Sequence, residues 1–467
     1  MKLPFSQSVI LLLASFFLHT SLTAQEKQDE PTQLSLLQAQ EYALRNNANA
    51  KNAVIDLELA KKKIWETTAI GLPQVNAQAN YQHLFKVPEL SLGGSTFLTT
   101  DLTPGTPLTS DDILNNRVYM GFNPSEPIEL GVKDNLTLDI TVSQLIFSGE
   151  YLVGLQASKV FYLMSDQSKV KTETELKESV SNTYSLVLVL EQSKNTLAKS
   201  LENLNTTLLE MREMYKQGFI ENTDVDQIEL TTLNLTNSLN SLNRQVNATQ
   251  DLLKFQLGMP FEHEIILTDK LESIAGEISL ESMQSTNFNL NQNIDYQIME
   301  TQEKLGVLSL KREKSGYLPS LAAVYMHTEK VNKPAFDFAP TDVFQLSMNI
   351  PIFTSGQRHV KVQQRRLELD KVVNIKENVA NGLRLEHKNA NNELATAYEN
   401  YLNNKKNIDL TNRIYEKTVI KYKEGLSTSM DLTNAQNQYL KAQSDYYNAV
   451  YSLITAKNKL DKLTNKL

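Results

Sequence analysis

The residues that could carry chemistry are few, and their spacing argues against catalysis. Beyond residue 24 the histidines are His83, His263, His327, His359 and His387, and no two stand at the His-x-x-x-His spacing that sets a pair of imidazoles on one helical face. Neither a glycine-rich phosphate loop nor a Gly-x-Ser-x-Gly elbow for a nucleophilic serine is present. The chain has no cysteine, which removes thiolate metal sites and disulfides alike. Each histidine therefore reads as a surface residue, and the single Trp65 and the tyrosines as packing residues rather than a cofactor box. The sequence predicts no enzyme, no cofactor and no metal centre.

Two carboxylates stand out by their setting instead. Tyr422-Lys423-Glu424-Gly425 is followed by Asp431-Leu432, and 207 positions earlier Tyr215-Lys216-Gln217-Gly218 is followed at the same distance by Asp224-Val225. Both copies lie between heptad-patterned segments. Val187, Leu190, Leu197, Leu201, Leu204, Leu208 and Met211 precede the first copy, and Val225, Ile228, Leu235, Leu239, Leu242, Val246 and Leu253 follow it. Around the second copy, Leu394, Tyr401, Ile408, Tyr415 and Tyr422 lead in, and Leu432, Ala435, Tyr439, Ala442, Tyr446, Ala449, Leu453, Ala456, Leu460 and Leu463 lead out. An alternation of three and four keeps one seam of a helix against a partner, so each copy predicts an αα-hairpin. Gly218 and Gly425 suit the left-handed residue that ends the incoming helix, and Asp224 and Asp431 suit the capped first turn of the returning one.

The elements that position these tips follow from the rest of the chain. Lys2, an apolar run from Val9 to Phe17 and Thr23-Ala24-Gln25 have the order of a secretory signal peptide over residues 1–24. Its removal leaves 45 basic against 54 acidic residues, a net charge of −9, which disfavours a nucleic-acid partner. No other run approaches the roughly 20 apolar residues of a membrane-spanning helix. The mature chain is thus periplasmic, secreted, or inserted as a β-barrel.

Residues 34–70 read as helical, interrupted at Asn46-Asn47 and ended by Leu72-Pro73, because the residue before a proline avoids the α region. Val75, Ala77, Ala79 and Tyr81 then alternate with Asn76, Gln78, Asn80 and Gln82, and Leu136, Leu138, Ile140 and Val142 with Thr137, Asp139, Thr141 and Ser143. That period of two marks strands with one apolar and one polar face. Between them, residues 83–134 carry five prolines and read as a long loop without a core element. The second strand closes at Phe147-Ser148-Gly149, where a helix of 68 residues, Glu150 to Gln217, begins; unbroken, it would be about 100 Å long. Gly258-Met259-Pro260 ends the returning helix, and residues 261–287 read as a connecting region.

The pattern then starts again. Leu318-Pro319 repeats Leu72-Pro73, Leu321, Ala323 and Tyr325 open a strand of weaker alternation, and Phe344, Leu346, Met348, Ile350 and Ile352 form the next. Phe353-Thr354-Ser355-Gly356 echoes Phe147-Ser148-Gly149, and the closing glycine stands 69 residues before the tip glycine in both halves. The sequence therefore predicts a duplicated helix-strand-strand-helix-helix unit, residues 25–287 and 288–467.

Four strands cannot close, whereas barrels in lipid need at least about eight, since an open edge there leaves backbone groups unpaired. Three chains would supply twelve. In this order of motifs, Leu36 to Asn47, Leu72-Pro73, Phe147-Ser148-Gly149, Tyr215 to Asp224, Leu318-Pro319, Phe353 to Gly356 and Tyr422 to Asp431, the chain resembles the TolC family of outer membrane efflux proteins. The resemblance covers residues 34 to about 463 and implies a mostly α homotrimer: a twelve-stranded β-barrel in the outer membrane of a Gram-negative bacterium, continued by an α-helical barrel through the periplasm. It implies a periplasmic adaptor and an inner-membrane transporter as partners, with small molecules such as drugs or metals exported. It further implies that Asp431 matches the first of two aspartates narrowing the closed pore and Asp224 its counterpart in the first hairpin. The second aspartate falls at Asn434 and a bracing arginine at Ser427, both departures from a charge-based gate. Tyr215, Gly218, Tyr422 and Gly425 fall on the tips that meet the adaptor. Two other functions compete: the outer component of a one-step protein secretion system, and a soluble periplasmic coiled-coil adaptor, which would have no use for four strands with a lipid-compatible face.

Overall fold

A computed structural model of the chain describes residues 32–90, 94–100, 107, 109–111, 118–123, 128–129, 131–276, 278, 288–334 and 337–467; the expected signal peptide lies outside them. The described residues divide into two compact units, each drawn from both halves of the sequence: those within 32–51, 173–278 and 387–467 form one, and those within 52–172 and 288–386 the other.

The second unit holds the sheet. β2 (Gln74–His83), β7 (Asp134–Phe147), β9 (Ser320–Lys330) and β10 (Asp342–Asn349) pair antiparallel in the order β10-β9-β7-β2. β10 stops at Asn349, short of the expected Ile352, because Pro351 interrupts the strand pattern there and offers no N–H to a ladder. Helices α2 (Ala48–Ala69) and α6 (Ile294–Ser315) lead into the two Leu-Pro pairs. Close approach is built in at Gly71, where a Cβ would come within 2.4 Å of the Tyr151 hydroxyl, itself donating to Thr68 O over 3.1 Å. A Lys171–Asp295 ion pair at 2.6 Å and a Lys376–Glu303 pair tie the helices of this unit together.

The expected long loop, residues 83–134, contains short strands of its own. Two short antiparallel pairs run inside it, β3 (Glu89–Leu90) with β6 (Ile128–Glu129) and β4 (Ser95–Thr100) with β5 (Val118–Asn123). The stretches Ser-Thr-Phe-Leu-Thr-Thr and Val-Tyr-Met-Gly-Phe-Asn are rich in β-branched and aromatic residues, and this propensity asserts itself between the proline and glycine punctuation.

The first unit contains the hairpins. α3 (Gly149–Lys216) enters it and returns as α4 (Asn222–Leu257); α7 (Gln357–Lys423) enters it and returns as α8 (Ser429–Leu463). The heptad residues bury as their spacing requires, with Val187, Met211, Ile228, Leu253, Leu394, Leu432, Leu453 and Leu460 all nearly or wholly inaccessible. Each such side chain contributes about 1.5–3 kcal/mol by leaving water. Along the second seam Tyr415 and Tyr439 stack with ring centroids 5.7 Å apart. Trp65, on α2, does not pack within the described residues of the single chain, where it is 65% exposed.

A small mixed region, part of it within the expected connecting region 261–287, completes this unit. β1 (Thr32–Leu34) pairs in parallel with β8 (Ile265–Leu267), and α5 (Leu271–Gly276) follows. Asp269 Oδ2 accepts from Leu36 N over 2.7 Å at the start of α1 (Leu36–Asn46), which Ser35 and Gln38 close with a reciprocal capping box. Fully buried Tyr184 places its hydroxyl 2.9 Å from Leu34 O and 3.2 Å from Asp269 Oδ2, and burial raises its pKa well above the usual phenol range. Asn47, between α1 and α2, donates from Nδ2 to Gln256 O over 2.8 Å and accepts from Asn49 N over 2.8 Å, so the break in the helix is a contact with the end of α4.

Gly258 sits against that contact with φ +73°, and a Cβ there would lie 2.6 Å from Asn46 O. Gly258→Ala is expected to destabilise this unit by at least about 1–2 kcal/mol, since an L residue is strained in the left-handed region and the obstacle is backbone. The expected result is a lower midpoint in thermal loss of the helical circular dichroism signal; an unchanged midpoint would show that the α1–α4 junction has slack.

Candidate functional site

Both hairpins turn through the same local device. Gly218 has φ +76° and Gly425 φ +72°. Phe219 N donates to Met214 O over 3.0 Å and Leu426 N to Lys421 O over 2.8 Å, satisfying carbonyls left open at the helix end. Without the glycines the left-handed residue would strain the turn.

Past the turn the two aspartates diverge. Asp431 is exposed and engaged by its own turn: Oδ2 accepts from Thr428 N over 3.0 Å, from Thr428 Oγ1 over 2.7 Å and from Ser427 Oγ over 3.2 Å, while Asp431 N donates to Thr428 Oγ1 over 3.1 Å. It closes a capping box on α8. Asp224 does less locally, accepting from Glu221 N at Oδ2 over 3.3 Å, and more at long range: its Oδ1 accepts from Ser429 Oγ, the first residue of α8. Both aspartates take the N-cap N–H of their own helix, and Asp224 in addition ties the two hairpins together. Ser427 serves as a donor to Asp431, and Asn434, one turn further along α8, is exposed.

The equivalent tyrosines also differ. Tyr422 is 8% exposed within a cluster of Leu204, Leu208, Met211, Val225, Ile228, Leu235 and Leu432, whereas Tyr215 is 45% exposed. Burial first, and then the nearby Asp224 charge, push the Tyr422 phenol up to about 12. Lys423 pairs with Glu210 at 3.0 Å and Arg212 with Glu229 at 2.9 Å, on the solvent side of the same packed tips. Sequence reasoning missed Ser429 and Thr428, whose only local signal was the Ser/Thr-x-x-Asp spacing of a capping box.

The sheet supplies the second functional surface. Register sets Val75, Ala77, Ala79 and Tyr81 opposite Val142, Ile140, Leu138 and Leu136, and Phe344, Leu346 and Met348 opposite Tyr325, Ala323 and Leu321. One face of all four strands is therefore apolar, and it is bare: Val75 is 67%, Ile140 40%, Phe344 71% and Met348 61% exposed. On the other face Asn80 Nδ2 donates to Asp139 Oδ2 over 3.1 Å, Thr328 Oγ1 to Asp139 Oδ1 over 2.6 Å, and Gln345 Nε2 to Ser347 Oγ over 3.0 Å. That side is also apolar in places, at Ala322, Val324 and Met326 of β9, Val343 of β10 and Leu145 of β7. Among the described residues no helix is long and apolar enough to cross a membrane, and no group of three or more His, Asp or Glu could hold a metal.

A sheet with one lipid-compatible and one hydrated face has the strand pattern of a transmembrane β-barrel. The family model "Outer membrane efflux protein" matches residues 309–466. No curated protein sequence matches the chain. Among solved structures the fold matches the outer membrane protein VceC of Vibrio cholerae, with TM-score 0.67 and 14% identity over 92% of this chain and 95% of that one. It also matches CusC, with TM-score 0.70 and 12% identity over 94% and 95%, and the CmeC outer membrane channel of Campylobacter jejuni, with 0.68 and 17% over 92% and 85%. Residues 309–466 carry the pattern of outer membrane efflux proteins, and the fold over most of the chain is that of the channels named above.

The Asp431 contacts carry a pH signature. Its carboxyl is held below the usual range by the Thr428 N–H first, then by the Thr428 and Ser427 hydroxyls. A depressed folded-state pKa contributes stability that is present above the unfolded value, about 3.9, and is lost as pH falls through the folded value. Amide-exchange protection of the first turn of α8, corrected for intrinsic rates, is expected to fall on acidification below about pH 4 and to lose that dependence in Asp431→Asn. Equal pH dependence in both proteins would remove the cap from Asp431.

Proposed function

We propose that three copies of this chain form the outer-membrane duct of a tripartite efflux system, passing small molecules such as drugs or metals delivered by a periplasmic adaptor and an inner-membrane transporter. The observation that carries it is the bare apolar face on a sheet with two free edges. Three antiparallel steps separate β10 from β2, so the two edge strands run in opposite directions. An edge β2 can therefore pair antiparallel with β10 of a neighbouring copy, and three copies close twelve strands with the Asn80, Asp139 and Ser347 face lining the lumen. The two sequence repeats, 25–287 and 288–467, each contribute one strand hairpin and one helical hairpin. Residues 83–134 form an external loop at the barrel end away from the helices.

The tips form the periplasmic entrance in this reading. Tyr215, Gly218, Tyr422 and Gly425 belong to the adaptor-docking surface, and Asp224, Asp431 and Asn434 line the narrowest ring. Three copies of each aspartate around an axis repel one another and attract cations, so the closed ring depends on contacts such as Ser429 to Asp224. Asn434, uncharged, lowers the charge density of that ring.

Mass measurement in mild detergent is expected to give three times the chain mass, and a stable monomer with full strand content would overturn the architecture. In a planar bilayer Asp224→Ala, which removes the acceptor of the Ser429 hydroxyl, is expected to raise resting conductance without lowering trimer yield. If conductance and ion selectivity stay unchanged in both Asp224→Ala and Asp431→Ala while the tips become less stable, the aspartates are caps and the constriction lies elsewhere.

A further inference from the structure

The position two residues after the closing glycine is filled differently in the two repeats. In the first repeat it is Tyr151, whose hydroxyl donates to Thr68 O near the end of α2 over 3.1 Å and whose ring stands where a Cβ on Gly71 would lie. In the second it is Arg358, in the first turn of α7, and there the junction is hollow. A cavity of about 240 Å³ lies between the end of α6, the ends of β9 and β10 at Ser320 and Asn349, and the starts of α3 and α7. It lies wholly within the unit that holds the sheet.

Arg358 lines this cavity, and its Nη1 is buried without a hydrogen-bond partner among the described residues. A buried guanidinium nitrogen that donates to nothing has lost its hydration without compensation. The first turn of a helix adds to the cost, because its open N–H groups disfavour a cation. An oxyanion in the cavity would relieve both. Glu150 lines the same cavity but is exposed, and its Oε1 lies against α6, where a Cβ on Gly316 would come within 2.8 Å of it. Gly316 has φ −64°, an ordinary helical value, so its turn does not require glycine, and the missing side chain is what leaves room for the carboxylate. That carboxylate stands by the C-terminal end of α6, the negative end of the helix, and the two together attract a cation. One cavity thus offers a place for each sign of charge, in a space several times that of one water.

We propose that this cavity binds a small zwitterion, with its oxyanion on Arg358 and its ammonium beside Glu150. The site is complete in one copy, so it does not depend on the barrel reading above. Guanidinium and oxyanion form charge-assisted bonds of fixed geometry, the ammonium gains the carboxylate, and Ser148 and Asn349 add neutral polar groups to the wall. Ser320 and Asn349 are register partners on the side of Gln345 and Ser347, so the cavity adjoins the mostly polar face and its ligand arrives from water.

The test uses the full-length protein in non-ionic detergent and follows phosphoethanolamine by the width of its phosphorus NMR signal. Broadening is expected to saturate at one ligand per chain and to be reversed by glycine, a second zwitterion, at about tenfold lower concentration than by acetate or inorganic phosphate. Arg358→Gln is expected to abolish it, and Glu150→Gln to weaken it about tenfold while inorganic phosphate competes no worse. Should Arg358→Gln not fold, the competition series on the native protein and Glu150→Gln, at an exposed position, decide the matter. No broadening with the native protein, or equal broadening with Arg358→Gln, would overturn the site. Acetate or inorganic phosphate competing as well as glycine, or Glu150→Gln binding like the native protein, would overturn the zwitterion. In nanodiscs of phosphatidylcholine with and without phosphatidylethanolamine, equal broadening supports a dissolved ligand, and its loss with phosphatidylethanolamine would overturn that source in favour of a lipid headgroup. A stable monomer that still binds would overturn the barrel reading alone.

Discussion

Everything in this chain depends on a sheet that a single copy cannot satisfy. Four strands present an apolar face to solvent and end in two edges of unpaired backbone. In water the face would drive aggregation, and in hydrocarbon each open N–H or C=O would cost several kcal/mol. Only a closed ring of strands in lipid removes both penalties together, and the opposite directions of β2 and β10 make such a ring possible with identical copies.

The same dependence on neighbours explains the hairpins. Their seams are well buried toward one partner, yet Leu209, Leu230, Leu233, Leu385 and Leu402 remain exposed on other faces. A helix covered on one side only is half of an interface, and closing a tube of such helices asks for further copies. At the tips the balance is finer. A buried tyrosine, a carboxylate caught by a hydroxyl of the other hairpin and ion pairs on the solvent side are contacts of modest strength. Exposed ion pairs of this kind contribute about 0–1 kcal/mol each.

The duplication gives two similar halves different work. Gly218 and Gly425 turn alike, and both aspartates engage their own helix start, but Asp224 also reaches across, and Tyr422 is buried while Tyr215 is not. A pseudo-symmetric repeat leaves each copy in a different environment, so equivalent residues need not keep equivalent roles.

What the sequence determined by itself was everything with a short period. Heptads, the two-residue alternation, Leu-Pro breaks and the glycine turns act within a few residues, and their spacing alone specified helices, strands, faces and tips. The tertiary structure decided what is joined across long separations. Thr32–Leu34 finds Ile265–Leu267, Asn47 finds Gln256, Asp224 finds Ser429 and Thr328 finds Asp139, contacts that no local pattern announces. The histidines show the difference most plainly, since five scattered residues carry no motif, yet strand register brings His83 to Asp134 and His327 to Asp342. Local propensity is written in neighbours along the chain, whereas register and hairpin contacts are set by the packing of the whole fold.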